Sequence, residues 1–187
     1  MSCFFYPKSA YNSKGYGKKK VKTMNDNLEL AKQLGKIFSN NHKMIATAES
    51  CTGGLIGAYV TAVSGSSRYF DRGFITYSNE AKCQMLGVKA QTLYKHGAVS
   101  LETAKEMAAG ALANSNADIA VSVTGIAGPD GGTKEKPVGT VCIGVCTKES
   151  NCFAKVFCFK GSREDVREQT VKEALSLVLE TLATSGV

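Results

Sequence analysis

The sequence predicts a three-layer α/β/α sandwich built on a mixed, mostly parallel sheet of about five strands. Three observations predict it. Short apolar runs alternate along the chain with stretches whose apolar residues recur at helical spacing, the pattern of helices covering both faces of a sheet. The last two strand-like runs are separated only by Lys148 to Asn151, too short for a parallel crossover, so that pair must be an antiparallel hairpin and the sheet mixed. The 187 residues with 43% hydrophobic content suffice for one ordinary domain with a substantial core.

Residues 1 to 23 are rich in Lys, Tyr, Ser and Gly without periodicity and are expected to form a basic, flexible tail, leaving 24 to 187 as the domain. Met24 opens the more orderly region and is a candidate alternative translation start. Leu28, Ala31, Leu34, Ile37 and Phe38 then fall on one helix face that closes near Asn40 and Asn41. Strands are expected near 43 to 48, 72 to 78, 118 to 124, 139 to 147 and 152 to 159, and helices near 53 to 63, 79 to 86, 101 to 114 and 163 to 183. Ser162 followed three residues later by Asp165 forms a capping-box-like start for the last helix, whose buried stripe is Val166, Val171, Ala174, Leu175, Val178 and Leu182.

Charge and cysteine usage narrow the function classes. The formal charge is +7, but Lys8, Lys14, Lys18, Lys19, Lys20 and Lys22 account for six of those charges within an acid-free tail, so the domain is close to neutral. Nucleic-acid contact is therefore expected only as nonspecific, salt-sensitive contact by the tail. The seven cysteines, Cys3, Cys51, Cys83, Cys142, Cys146, Cys152 and Cys158, are odd in number and form no C-x-x-C pair, which argues against a disulfide framework and against structural zinc. With only His42 and His96 as histidines, neither a metal nor a cofactor is expected. No secretory leader or apolar run approaching the ~20 residues of a membrane span is visible, so a reduced, cytoplasmic location is expected.

Three segments carry candidate chemistry. The first, Thr47-Ala48-Glu49-Ser50-Cys51-Thr52-Gly53-Gly54, puts Ser50 where a buried strand turns into a helix. Helix-start amides lack intrahelical partners and can face an anion or a developing oxyanion, so this is a place for acyl transfer with Thr52, Gly53 and Gly54 as donors. The plainer reading is that Ser50 or Thr52 caps the helix. Cys51 is a rival nucleophile, since a helix start lowers a thiol pKa, although free cysteines are commonly small core residues. Glu49 has the chemistry to orient a lysine or hold a substrate hydroxyl, and equally to sit at the helix start with no further role.

In the second segment, Gly73 to Lys82, a strand ending at Tyr77 and a helix capped by Ser78 place Lys82 one turn in, on the same face as the cap. A lysine held against apolar walls loses proton affinity and can act as the base that this histidine-poor chain otherwise lacks. Two serines then compete as nucleophile. Ser78 has a ready job as cap, which favours Ser50; as a solvated surface residue, Lys82 would do neither. The third segment, Thr124 to Gly132, is a glycine-rich loop after an apolar strand, whose amides at Gly125, Gly128, Gly131 and Gly132, with Asp130 between them, can approach a sugar or phosphate. Lys134 and Lys136 follow as further cations, and more stand at Arg163 and Arg167. The glycine spacing matches neither a Walker loop nor a dinucleotide fingerprint, so a surface turn is the alternative.

Together these segments, with His96-Gly97-Ala98-Val99-Ser100, closely resemble the CinA C-terminal domain family, in the same order and spacing from about Asn27 to Leu182. Its characterised members are nicotinamide-nucleotide amidohydrolases. The resemblance implies conversion of nicotinamide mononucleotide to nicotinate mononucleotide and ammonia by a serine-lysine mechanism, with Ser50 as nucleophile, Lys82 as general base and Tyr77 and Ser78 in support. It also implies a small-molecule substrate, a homo-oligomer, and a chain without the N-terminal pyrophosphatase-type domain that many longer relatives carry. A catalytically inactive nucleotide-binding or competence-associated module of the same fold is the alternative.

Overall fold

Ile45–Glu49 (β1) is buried at every position, as a strand must be when helices cover both its faces. The computed structural model describes residues 17–149 and 152–184, with side chains from residue 26 onward. Phe70–Ile75 (β2) and Ile119–Gly125 (β3) flank β1, both parallel to it; Thr140–Thr147 (β4) runs antiparallel to β3 and Cys152–Cys158 (β5) antiparallel to β4. The order β2-β1-β3-β4-β5 makes an open mixed sheet in which β4 alone opposes the other strands. The helices are Gly17–Asn40 (α1), Leu55–Thr61 (α2), Asn79–Leu86 (α3), Ala90–His96 (α4), Leu101–Ala113 (α5) and Arg163–Thr184 (α6).

The two faces of the sheet differ in chemistry. On one, Ile45, Val121, Val123, Ile143 and Val145 meet Leu34 and Phe38 of α1, Ile56 and Val60 of α2, and Val171, Leu175 and Val178 of α6, each such side chain contributing about 1.5–3 kcal/mol on burial. On the other, Ala46, Ala48 and Ala120 pack against Met107 and Ala111 of α5 and Leu86 of α3. Small residues let α5 lie close. A Cβ on Gly144 would come within 2.5 Å of the Ala104 carbonyl, so a larger residue there would lift α5 from the sheet, and one on Gly110 would collide with the Leu86 carbonyl at the end of α3. Ser122 Oγ donates to Ala104 O at 2.6 Å across the same contact.

Several expectations meet the structure directly. The short connection does form an antiparallel hairpin, and the start of α6 is a reciprocal capping box: Ser162 N–H donates to Asp165 Oδ2 at 2.9 Å while Asp165 N–H donates to Ser162 Oγ at 3.2 Å. β2 ends at Ile75, earlier than expected, because the chain turns toward the Ser78 cap. α4 is an element that periodicity does not announce, since Leu93 is its one residue packed on the core. α1 begins at Gly17 and so takes in residues 17–23 of the stretch read as tail; residues 1 to 16 lie outside the described residues. No described helix is long and apolar enough to cross a membrane.

The expectation against a disulfide is corrected. The hairpin sets Cys146 directly opposite Cys152, and the two are bonded. The turn that forces antiparallel pairing also brings these two residues face to face, a relationship that cysteine counting and a search for C-x-x-C do not detect.

Candidate active site

The carboxyl ends of β1, β2 and β3 lie side by side, Glu49 being paired with both Ile75 and Val123. From β1 the chain goes first to β2 on one side and only later to β3 on the other, so the loops leaving β1 and β3 part at this point. Open α/β sheets form their ligand crevices at such a switch. Ser50 follows β1 immediately and is held against β3, its N–H donating to Val123 O at 3.0 Å.

Lys82 arrives from the β2 side. Thr76 N–H donates to Glu49 O at 2.9 Å, the chain turns, and Ser78 caps α3 by accepting from Ala81 N–H at 3.0 Å. One turn into α3, Lys82 Nζ lies 3.2 Å from Ser50 Oγ, 3.0 Å from Thr76 O and 3.4 Å from Ser78 O. Lys82 is 1% exposed and Ser50 8%. Burial pulls the Lys82 amine below the usual lysine range, only partly countered by the Cys51, Cys83 and Glu80 side chains. No carboxylate pairs with it among the described residues. In its neutral form the amine has a lone pair to offer the serine O–H while donating to the two carbonyls.

The rivals are placed differently. The Ser78 hydroxyl is engaged as the α3 cap, and Lys82 approaches its carbonyl instead. Burial pushes the Cys51 thiol up to about 12, against the pull of its own backbone amide, so it stays protonated near neutral pH. Glu49 is 1% exposed and contacts neither Lys82 nor open space. Its carboxylate accepts from Thr52 Oγ1 at 2.7 Å and from the N–H groups of Gly54, Ile56 and Gly57 at 3.0, 3.0 and 2.9 Å. Three of those bonds fall on Oε2 and one on Oε1, so the buried carboxylate is held against the start of α2.

The turn amides are likewise partly taken. Gly53 N–H donates to Ser50 O at 3.1 Å and Gly54 N–H to Glu49, so of the three expected oxyanion donors only Thr52 N–H is without an acceptor among the described residues. Gly54 sits at φ 98, a left-handed conformation suited to glycine. Two arginines from the start of α6 close the rim: Arg167 donates to Thr52 O at 2.7 Å, and Arg163 donates to Gly128 O at 2.9 Å and to Tyr77 OH at 2.8 Å. Tyr77 is exposed at the mouth. Gly125 belongs to the β3 ladder, whereas Asp130, Gly131 and Gly132 are exposed in the loop beyond. Lys136 Nζ donates to His96 O and Val99 O.

The structure thus brings Ser50, Lys82, Thr52 and Gly54 to one turn, with Tyr77 and Gly128 linked to it through Arg163. The arginines are the part that sequence reading left among general surface cations. Their signal was present: Arg163 and Arg167 are four apart just after the Ser162 cap, hence on one face of α6.

A sequence profile of the CinA C-terminal domain matches residues 27–182. The chain belongs to the CinA C-terminal domain family. This CinA domain is 53% identical over 161 residues to a CinA-like protein of Chloroherpeton thalassium, a match that covers 84% of the chain but 38% of the relative. It is 49% identical over 148 residues to the nicotinamide-nucleotide amidohydrolase PncC of Escherichia coli K12, covering 79% of the chain and 90% of that protein. The crystal structure of the competence/damage inducible protein CihA from Agrobacterium tumefaciens superposes with a TM-score of 0.82 at 46% identity, over 83% of this chain and 94% of that one. A CinA superfamily protein from Escherichia coli gives 0.80 at 34% identity, over 84% and 92%.

Proposed function

We propose that this CinA domain hydrolyses the carboxamide of nicotinamide mononucleotide to nicotinate mononucleotide and ammonia, through an acyl-enzyme on Ser50, in pyridine nucleotide recycling. The observation that carries the reading is the buried contact of Lys82 Nζ with Ser50 Oγ at 3.2 Å; likeness to the PncC amidohydrolase supplies the substrate. Ser50 Oγ attacks the amide carbon while neutral Lys82 takes the hydroxyl proton. Thr52 N–H stabilises the oxyanion. As the C–N bond breaks, Lys82 delivers the proton to the departing ammonia. Water then attacks the ester carbon, Lys82 accepts its proton, and cleavage of the C–Oγ bond returns that proton to Ser50.

At the rim, Arg163 and Arg167 have carbonyl and hydroxyl partners and supply the positive charge for the ribose phosphate. The exposed amides of Asp130, Gly131 and Gly132 follow Gly128, where Arg163 ties the loop to the rim, and Tyr77 walls the mouth. No step calls for a cofactor.

The test is to incubate the purified protein with nicotinamide mononucleotide, with and without EDTA, and to measure ammonia and nicotinate mononucleotide. Equimolar release that persists in EDTA and vanishes in Ser50→Ala is the expected result. Binding of the nucleotide without ammonia release would leave a nucleotide-binding module instead, and loss of turnover on chelation would replace the amine-based mechanism.

A further inference from the structure

Glu49 immediately precedes the nucleophile, yet it faces away from the space where a substrate would lie. Four donors surround its buried carboxylate: the Thr52 hydroxyl and the Gly54, Ile56 and Gly57 amides. Oε2 takes three of these bonds and Oε1 the fourth, so a carboxylate with about four lone-pair sites is tied at both oxygens from within the protein. Its charge lies against the start of α2, where the helix dipole favours an anion. Of the amides that sequence reasoning would aim at a substrate, Gly54 N–H is thereby taken by the protein itself.

The consequence falls on Thr52. Glu49 holds its side chain at 2.7 Å, Arg167 holds its carbonyl at 2.7 Å, and Gly53 N–H next to it is tied to Ser50 O. With both of its flanks fixed, the turn presents Thr52 N–H with no acceptor among the described residues, on the same turn as Ser50 Oγ.

We infer that Glu49 is a positioning residue: its buried carboxylate fixes the 50–54 turn so that Thr52 N–H points at the developing oxyanion, and it never touches substrate. This rests on the proposed acyl transfer at Ser50. A glutamine at this position is a poor replacement, since it supplies one acceptor oxygen and turns an NH2 group toward donors.

The test compares wild type with Glu49→Gln, Thr52→Val and Thr52→Ser. Two readouts are used: kcat and KM for nicotinamide mononucleotide, and the rate at which diisopropyl fluorophosphate labels Ser50, followed by mass spectrometry. In labelling, the Ser50 Oγ–P bond forms, the P–F bond breaks, fluoride leaves and Lys82 takes the proton; the phosphoryl oxygen occupies the oxyanion position. At a temperature where circular dichroism shows the fold intact, Glu49→Gln is expected to lower kcat about 100-fold, as loss of one oxyanion donor does, with KM within twofold and labelling slowed in parallel. Thr52→Val should move both rates in the same direction by less, and Thr52→Ser should recover most of that loss. A kcat within threefold of wild type, or a rise in KM alone, overturns the inference, the latter by putting the carboxylate on the substrate. If Glu49→Gln does not fold, the two Thr52 variants decide, and equal rates for Thr52→Val and wild type overturn it. If wild type is labelled at Ser50 but releases no ammonia from the nucleotide, the substrate reading fails while the labelling rates still judge Glu49.

Discussion

Lys82 Nζ and Ser50 Oγ, 32 positions apart in the chain, meet at 3.2 Å inside the protein. Two independent turns bring them together: β1 delivers Ser50 at the switch point of the sheet, and the Ser78 cap starts α3 so that its first full turn swings Lys82 inward. The amine is stripped of water there, which lowers its proton affinity.

Replacing that amine should remove catalysis and spare the fold. Lys82→Met keeps the stem and loses the base, and the rate of ammonia release is expected to fall by about 10²–10⁴-fold. Lys82→Arg, which stays protonated, should be equally inactive. Circular dichroism should show both folded. A methionine variant within tenfold of wild type would remove Lys82 from the mechanism.

The pH dependence has a definite sign. Burial lowers the Lys82 pKa, and the neutral amine is the active form, so kcat/KM should rise with pH along a limb whose midpoint lies below the usual lysine value. Stability follows the same direction. Between the folded and unfolded pKa values the unfolded chain binds more protons at this site, so raising the pH favours the folded state, and Lys82→Met should lose that increment. Rate profiles and melting curves taken across roughly pH 6 to 10 check both statements; a rate that falls over the ascending limb would reverse the assigned protonation state.

The central geometry was legible in the sequence because it depends on local rules: a strand entering a glycine-rich turn, and a serine cap one turn before a lysine. Glu49 was less legible. A carboxylate beside a helix start reads equally as ligand or cap, and only the positions of Gly54, Ile56 and Gly57 decide between them. Arg163 and Arg167 were hidden because their partners, Gly128, Tyr77 and Thr52, come from remote segments. The Cys146–Cys152 bond depended on hairpin register, which composition does not report.

Ser78 and Ser50 should separate cleanly by substitution. Ser78→Ala removes the acceptor for Ala81 N–H and is expected to cost about 1 kcal/mol of stability, but Lys82 meets only the Ser78 carbonyl, which survives. Its activity should remain well above that of Ser50→Ala, measured side by side. The reverse ranking would make Ser78 the nucleophile.

Arg163 should act on binding more than on chemistry. It joins Tyr77 OH to Gly128 O at the rim, with no carboxylate partner among the described residues. Arg163→Gln is expected to raise KM for the mononucleotide about tenfold or more, in line with about 1.5–3 kcal/mol for a hydrogen bond to a charged group, while kcat changes less. An unphosphorylated nucleoside analogue should be indifferent to the substitution. If both substrates lose affinity equally, the arginine serves the loop and not the phosphate.

The disulfide should matter for stability and not for turnover. Cys146 pairs with Ala120 near the start of β3, while Ser50 is held by Val123 near its end, so the bond lies toward the opposite end of the sheet from the site. Closing so short a loop restricts the unfolded chain by about 2 kcal/mol, and for a chain of this size that corresponds to a shift of about 4–8 °C in Tm. Cys152→Ser should therefore melt earlier with kcat/KM unchanged, and the wild-type protein under a thiol reductant should melt with it. A Cys152→Ser variant with impaired turnover at a temperature where it is fully folded would mean that the β4–β5 hairpin communicates with the switch-point crevice, contrary to the separation that the strand register imposes.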